Sequence, residues 1–217
     1  RTAIEDYSRR VDFPIKNIFV NDGSKRSGKS NAFFSGIGRQ KKVVLYDTLI
    51  ENHSVKELVA VIAHEVGHYK KKHIISGMLL SVLQVGFTLF LLSLLIFNPQ
   101  LSYALGADDL AIHINLIAFG ILFSPISTAT GLLMNMWSRK NEYEADAYAA
   151  TTYAGEPLST ALRKLSTHNM SNLRPHPWYV FFYYSHPPLL QRLRAIGHYS
   201  TLKRQVKAPS NQCFGPT

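Results

Sequence analysis

Two histidines four residues apart, His64 and His68, enclose a glutamate, Glu65. On a helix this spacing puts both imidazoles on one face, about 6 Å apart, so that they can share one tetrahedral ion. Glu65 lies one residue round the helix, where it can take a proton from the hydrolytic water and pass it to a leaving amine. The segment therefore predicts a hydrolytic zinc site. The alternative is a helix that contains these letters by chance.

Zinc needs a third protein ligand, and the sequence limits what it can be. The only cysteine, Cys213, cannot form a thiolate cluster, which leaves histidine and carboxylate ligands. A metzincin would carry glycine at position 71 and its third ligand at position 74, but this chain has Lys71 and Ile74. His73 is out of register by one residue. The metzincin subclass is therefore excluded, and a carboxylate on another helix is the remaining common solution.

An acidic segment at residues 142–146 offers such a carboxylate. Residues 142 and 146 fall on one helical face, whereas Glu144 points roughly to the opposite side. We therefore expect Glu142 to complete a site for one Zn2+ per chain, and Asp146 to accept a hydrogen bond from a ligand histidine and fix its tautomer. The alternative is that these three acidic residues form a solvated helix face.

The helix that carries the two histidines has a sequence signal for its first residue. Ser54 and Glu57 form a capping-box pattern ahead of the apolar residues 58–63. A helix should therefore begin near Val55 and continue through the histidines.

Two long uncharged runs separate the histidines from Glu142. Residues 74–97 carry no charge, and residues 110–137 contain only His113 as an ionisable group, with Pro125 as an expected kink. About 20 apolar residues cross a bilayer core, so the runs predict a hairpin of two transmembrane helices. An antiparallel hairpin returns residues 139–146 beside residues 65–72, which would bring Glu142 to the histidines. The alternative is a very apolar helical core of a soluble protein.

The placement of charge supports the membrane interpretation. The formal net charge is +10 at pH 7. Basic clusters at residues 70–72 and 139–140 flank the apolar runs, whereas the connection between the runs carries Asp108, Asp109 and no lysine or arginine. The positive-inside rule places both outer ends of the hairpin in the cytoplasm. We therefore expect a lipid bilayer, and no nucleic acid, as the partner of these clusters.

The chain divides into five parts, and because it opens at Arg1 we read it as a fragment or a processed form. Three short β-prone runs predict a small antiparallel β-element in the first part. The fold class we expect is a mainly α membrane protein, in which zinc-peptidase helices and a transmembrane helical hairpin accompany this β-element. The parts are residues 1–53 (β-element with a substrate-edge strand), 54–73 (histidine helix), 74–137 (hairpin), 138–200 (third-ligand helix and further helices at 157–168 and 188–196) and 201–217 (tail).

A phosphate-binding loop pattern at residues 23–30 points to a different function. The pattern must open a helix whose amides cradle phosphate, but residues 31–38 have the composition of a strand. We interpret the segment as a basic hairpin turn. Two rivals of another class stay open: a nucleotide-binding protein, which would depend on Lys29 and hold no zinc, and an inactive membrane scaffold, which would fold without hydrolysing anything.

Six motifs, in this order, resemble those of the type I CAAX prenyl proteases, which are integral membrane zinc peptidases of the gluzincin type. They are residues 30–34, 44–48, 64–68, 123–125, 138–146 (from Ser138-Arg139 to Asp146) and 185–190 with Arg192. The resemblance covers nearly the whole chain, aligned with the carboxy-terminal half of the family, so that earlier membrane helices would be missing partners. It implies a multi-pass protein of the bacterial inner membrane or endoplasmic reticulum. The implied activity removes the last three residues after a lipidated cysteine.

The resemblance also implies roles for three further residues. Asn31 would hydrogen-bond the backbone of a substrate strand, or be an ordinary strand-edge residue. His186 would stabilise the oxyanion, or be a capping or core histidine. Arg192 would pair with a ligand carboxylate or with substrate, or be a surface arginine. A membrane quality-control zinc protease, acting on unlipidated proteins, is the closer alternative for the function. The remaining histidines are expected to be structural: His53, His73, His113, His168, His176 and His198.

Overall fold

The computed structural model describes residues 1–13, 15–25, 32–35 and 42–207, and this part of the chain is mainly helical. The elements are α1 (Thr2–Arg10), β1 (Asn17–Asn21), β2 (Ala32–Ser35), β3 (Lys42–Tyr46), α2 (Asp47–Asn52), α3 (Val55–Lys70), α4 (His73–Leu95), α5 (Pro99–Ala104), α6 (Ile112–Ala149), a π-helical turn (Ala150–Ala154), α7 (Gly155–His168), α8 (Pro177–Tyr183) and α9 (Leu189–Lys207).

The three strands form one mixed sheet in the order β1-β3-β2. β2 and β3 pair antiparallel, with Ala32 opposite Leu45, as the sequence predicted. β1 is instead parallel to β3, with Asn17 opposite Lys42, so the expectation of a wholly antiparallel element was wrong for this strand. β1 and β2 run in opposite directions but are not neighbours, because β3 inserts between them and pairs parallel with β1 and antiparallel with β2. β2 is therefore an edge strand of the described sheet.

Helix α3 is the centre of the hydrophobic core. It begins at Val55, and the predicted capping box is confirmed, since Ser54 and Glu57 each hold the other's backbone N–H. Val59, Ile62 and Val66 are essentially without solvent contact. The sheet covers one side of this helix, and α1, α6 and α7 cover others. A helix that is apolar on nearly all faces is stabilised by burial on all of them.

Helices α4 and α6 form the predicted hairpin, and both are long and apolar enough to cross a membrane. They meet near the histidine helix, where Gly77 of α4 leaves space for the Trp137 ring. At the other end Asn115, which is fully buried, donates hydrogen bonds to the carbonyls of Leu95, Ile96 and Asn98. This amide satisfies carbonyl groups that the end of a helix leaves without partners.

Helix α6 runs without a break through Pro125 into the acidic segment, so that one rigid element joins the hairpin to Glu142. The π-helical turn at 150–154 then leads into α7, and Tyr7 holds this turn through a hydrogen bond between its hydroxyl and Thr152 Oγ1, at 2.7 Å. Two of the predicted helices are longer in the structure: α7 starts at Gly155, and α9 continues to Lys207, through the first residues assigned to the tail.

Candidate metal centre

Three predicted ligands lie together where α3 meets α6. The Nε2 atoms of His64 and His68 are 3.1 Å apart. Glu142 places Oε2 3.6 Å from His64 Nε2 and Oε1 3.3 Å from His68 Nε2. His64 and Glu142 are buried and His68 is partly buried, so this set of donors is largely withdrawn from water.

The donor set fits a zinc ion. Ligands about 2.1 Å from a tetrahedral ion stand roughly 3.4 Å apart. The three side chains approach one another to 3.1, 3.3 and 3.6 Å, the last two distances being to different oxygens of Glu142, and these separations are close to that spacing. His64 Nδ1 lies 2.9 Å from Asp146 Oδ1. An ionised carboxylate only accepts hydrogen bonds, so the proton of neutral His64 sits on Nδ1 and leaves a free lone pair on Nε2. The Nε2 lone pair of His64 and the carboxylate of Glu142, which meet in a largely buried space beside His68, are suitable donors for a metal cation.

A glycine inside the motif lets the two ligand helices come close. A Cβ atom on Gly67 would lie 3.0 Å from Ala145 Cα and 3.1 Å from Ala145 O. Ala145 belongs to the turn of α6 between Glu142 and Asp146, and it is fully buried. The missing side chain of Gly67 therefore sets the distance at which α6 presents its carboxylates to the histidines.

Asp146 and Arg192 form an ion pair behind the predicted ligands. The Asp146 side chain is fully buried, and Arg192 donates to both of its oxygens, from Nε at 2.8 Å and from Nη2 at 2.7 Å. Arg192 Nη1 also lies 3.0 Å from Glu142 Oε2. Its side chain is only 12% exposed, which argues against an ordinary surface arginine. The structure thus places Asp146 on His64, and Arg192 on a ligand carboxylate.

Glu65 lines a cavity of about 350 Å³ together with the three predicted ligands. Among the residues that the structure describes, no hydrogen bond or ion pair holds its carboxylate. Burial raises the pKa of Glu65 above its ordinary value. A carboxylate that is free, at the cavity wall and of raised basicity has the properties of a general base.

His186 reaches the same cavity from the segment between α8 and α9. Its Nδ1 donates to Glu142 Oε1 at 3.1 Å, and this hydrogen bond raises the pKa of the His186 imidazole. Helix α8 is held on α6 by Arg139, which donates to the carbonyls of Val180 and Tyr184, and by Asn135, which donates to Phe182 O. These bonds fix the end of α8 and hence the start of the segment that carries His186.

Two sequence expectations involve residues 26–31. Asn31 lies outside the described residues, and so does Lys29 of the loop pattern. The neighbouring Ala32 lines the cavity, so edge strand β2 borders the site. The amides of Gly23 and Ser24 both donate to Asp47 Oδ1 at 3.1 Å, and β2 follows the loop where a phosphate-binding loop would open a helix. Asp47 thus accepts from the first two amides of the pattern, and its later residues, 26–30, lie outside the described part of the chain.

His73, expected from the sequence to be structural, lies beside the predicted ligand His68. Its Nδ1 lies 3.1 Å from Nδ1 of His68, and its Nε2 lies 3.3 Å from Glu144 Oε2. On a continuous helix a residue five positions after His68 would point away from it. The chain instead breaks between α3 and α4, where Lys72 adopts a left-handed conformation with φ of 60°. This break brings the His73 ring back beside His68, and no local pattern in the sequence indicates it.

Two helical histidines, a carboxylate from a second helix and a free glutamate on the cavity wall define a candidate single-metal hydrolase site in a helical protein. Residues 1–200 match peptidase family M48. The chain belongs to this family.

Within this family, the chain is similar to several named proteins. The chain is 35% identical to CAAX prenyl protease 1 of Saccharomyces cerevisiae, over 94% of this chain and 49% of the relative. It is 40% identical to the CAAX prenyl protease 1 homolog of Oryza sativa subsp. japonica, over 90% and 46%. The crystal structure of S. mikatae Ste24p matches with a TM-score of 0.81 and 36% identity, over 90% of this chain and 49% of that one. The chain thus spans about half the length of the relatives it matches.

Proposed function

We propose that this chain is the catalytic part of a membrane zinc endopeptidase that removes the C-terminal tripeptide from prenylated CAAX proteins or peptides. The observation that carries the proposal is the convergence of His64, His68 and Glu142 on one cavity, with Glu65 on its wall. Membership of family M48 supports the reaction class, and the names of the relatives support the substrate class.

Each residue of the site has a separate role in the proposed hydrolysis of the peptide bond. A zinc ion held by the three ligands would act as a Lewis acid towards the scissile carbonyl and the attacking water. Glu65 takes the proton from the water and delivers it to the leaving amine. His186 donates a hydrogen bond to the carbonyl oxygen as negative charge develops on it. Arg192 and Asp146 hold Glu142 and His64 in place, so that the ligands do not reorganise during the reaction.

The surroundings of the cavity suit an extended peptide. Edge strand β2 can pair with the backbone of a substrate, and Asn31, directly before it, would add a side-chain hydrogen bond. A second cavity of about 580 Å³ shares Leu162, Leu165, His186 and Arg192 with the first. Substrate on both sides of the scissile bond would thus be in contact with His186.

Helices α4 and α6 would anchor this site to a bilayer. Their outward side chains are large and apolar, including Leu83, Phe90, Ile121 and Leu133, each more than half exposed. In the proposed orientation the basic residues 70–72 and 139–140 lie at the cytoplasmic surface, on the same side as the site. The remaining half of a protein of the relatives' length would cover part of these faces.

The function can be tested with one peptide in two forms. The full chain, purified in detergent with zinc, is given a CAAX peptide that is either farnesylated or unmodified, and products are identified by mass spectrometry. We expect release of the tripeptide from the farnesylated form. Glu65→Gln should lower the rate by roughly 100-fold or more, since it removes the general base and keeps the side-chain shape.

Three results would contradict the proposal. Equal cleavage of both forms, or cleavage at other bonds, would favour the quality-control protease acting on unlipidated substrates. Full activity of the Glu65→Gln variant would remove Glu65 from its role. A zinc-loaded chain that cleaves neither form would support the inactive scaffold.

A further inference from the structure

The two ligand histidines present their second ring nitrogens to different partners. His64 Nδ1 lies 2.9 Å from the carboxylate of Asp146. His68 Nδ1 lies 3.1 Å from another imidazole, that of His73, which is only 8% exposed. The other ring nitrogen of His73 faces a carboxylate: Nε2 lies 3.3 Å from Glu144 Oε2.

The directions of the hydrogen bonds between His68, His73 and Glu144 follow from the metal-facing nitrogen at one end and the carboxylate at the other. If His68 Nε2 faces the ion, the proton of its neutral ring sits on Nδ1, which can then donate to His73. His73 Nδ1 must accept that bond, so the proton of its own neutral ring sits on Nε2. That N–H meets the carboxylate of Glu144, which only accepts. Every donor therefore faces an acceptor, with both rings neutral.

Both carboxylates come from the same turn of α6 as the third ligand. Glu142 faces the two histidines, and Asp146 accepts the hydrogen bond of His64. Glu144 is the last acceptor in the hydrogen-bonded series that begins at His68. The side chain of Glu144 is 36% exposed, so this hydrogen-bonded series ends at the protein surface. Because α6 also contacts α4, Glu144 reaches His73 although it lies on a different face of α6 from Glu142.

We propose that His73 is a positioning residue for the metal: it accepts the Nδ1–H of His68, with Glu144 as the final acceptor, and so fixes the ring orientation and tautomer in which His68 binds zinc. This rests on the proposed zinc site. Partners of ligand histidines raise their basicity and restrict their rotation, and losing such a partner typically weakens metal binding by about 10- to 100-fold.

The test measures zinc affinity by competition with a chelator, using the full chain in detergent. His73→Leu should bind zinc about 10- to 100-fold more weakly. His73→Asn should bind nearly as tightly as the natural chain, because its amide oxygen can take the place of Nδ1 as the acceptor. His53→Leu is the matched control: His53 is 7% exposed and contacts the carbonyls of Leu49 and Ala161, so its loss should lower stability and leave zinc affinity unchanged.

Each outcome decides the question. Unchanged affinity in His73→Leu, equal weakening in His53→Leu, or an Asn variant as weak as the Leu variant would overturn the positioning role. If His73→Leu does not fold, zinc affinity is measured for Glu144→Leu, which changes a partly exposed position. Weaker zinc binding in that variant supports the role of His73, and unchanged binding overturns it. A natural chain that binds no zinc would instead overturn the proposed function itself.

Discussion

Asp146 carries its charge at a position with no solvent contact, and Arg192 is the group that balances it. The two donor bonds from Arg192 use the fork geometry that a guanidinium offers to a carboxylate. The same side chain also contacts Glu142. The single positive charge of Arg192 is therefore shared between two of the three carboxylates that α6 brings to this region, Glu142 and Asp146.

Replacing Arg192 by methionine should destabilise the zinc-free chain by about 3 kcal/mol, because it leaves a buried charge without its partner. Arg192→Lys should recover only part of this loss, since an ammonium group cannot form the paired bonds. The measurement is thermal unfolding in detergent without zinc.

Arg194→Met is the control for that experiment. Arg194 lies on the same helix two residues later and is exposed, so its replacement should change stability little. Equal unfolding temperatures for the two methionine variants would show that Arg192 does not balance a buried charge.

At the scale of single residues, the sequence predicted those members of the site that a short motif or a helical face defines. His64, Glu65 and His68 follow from their spacing, and Glu142 and Asp146 from a shared face of one helix. The role of Arg192 stayed open because its partners lie on a distant helix. The contact of His73 with His68 was not predicted, because it depends on a two-residue break in the helix at Lys71 and Lys72, for which the sequence carries no local signal.

At the scale of elements, the crossing of α3 and α6 decides whether the ligands meet. The contact point is Gly67 against the backbone of Ala145, inside the segment that carries the ligands of both helices. A backbone cannot move aside as a flexible side chain can, so this contact has little tolerance for added volume.

Gly67→Ala should therefore weaken zinc binding and also destabilise the chain, by roughly 1–3 kcal/mol. The added methyl group would push α6, and with it Glu142, away from the histidines. Zinc competition and thermal unfolding measure the two effects.

Gly86→Ala on α4 is the matched control, because a Cβ atom there meets nothing within 4 Å. Alanine is favoured over glycine within a helix, so this variant should be as stable as the natural chain or slightly more stable. If Gly67→Ala binds zinc like the control, the close approach of the helices does not set the ligand geometry.

The sequence predicted the long elements better than the short ones. The capping box and the uncharged runs located α3, α4 and the apolar part of α6, since each signal is local and repeated over many residues. The direction of β1 depends on which strand inserts beside it, and no local pattern encodes that choice. Helix α1 was not predicted, although Ile4 and Tyr7, which are buried, have the spacing of one helical face.

At the scale of the whole molecule, the hairpin is what assembles the site. The two histidines precede it and Glu142 follows it. These predicted ligands converge because α4 leads away from the site and α6 returns to it. The most apolar stretch of α4 has no buried residue, and that of α6 has few. The chain spans about half the length of the relatives it matches, and these exposed apolar faces belong to the part that it contains. From the sequence, the return of the chain to the site could be predicted, but not what covers the two helices.

The most direct test of the account is the zinc content of the purified chain beside two glutamate variants. We predict about one zinc per chain for the natural sequence and for Glu65→Gln, which changes a carboxylate at the cavity wall without removing a ligand. Glu142→Ala should lose most of the metal, because only the two histidines remain. Zinc retained in full by Glu142→Ala, or lost by Glu65→Gln, would contradict the assignment of the site.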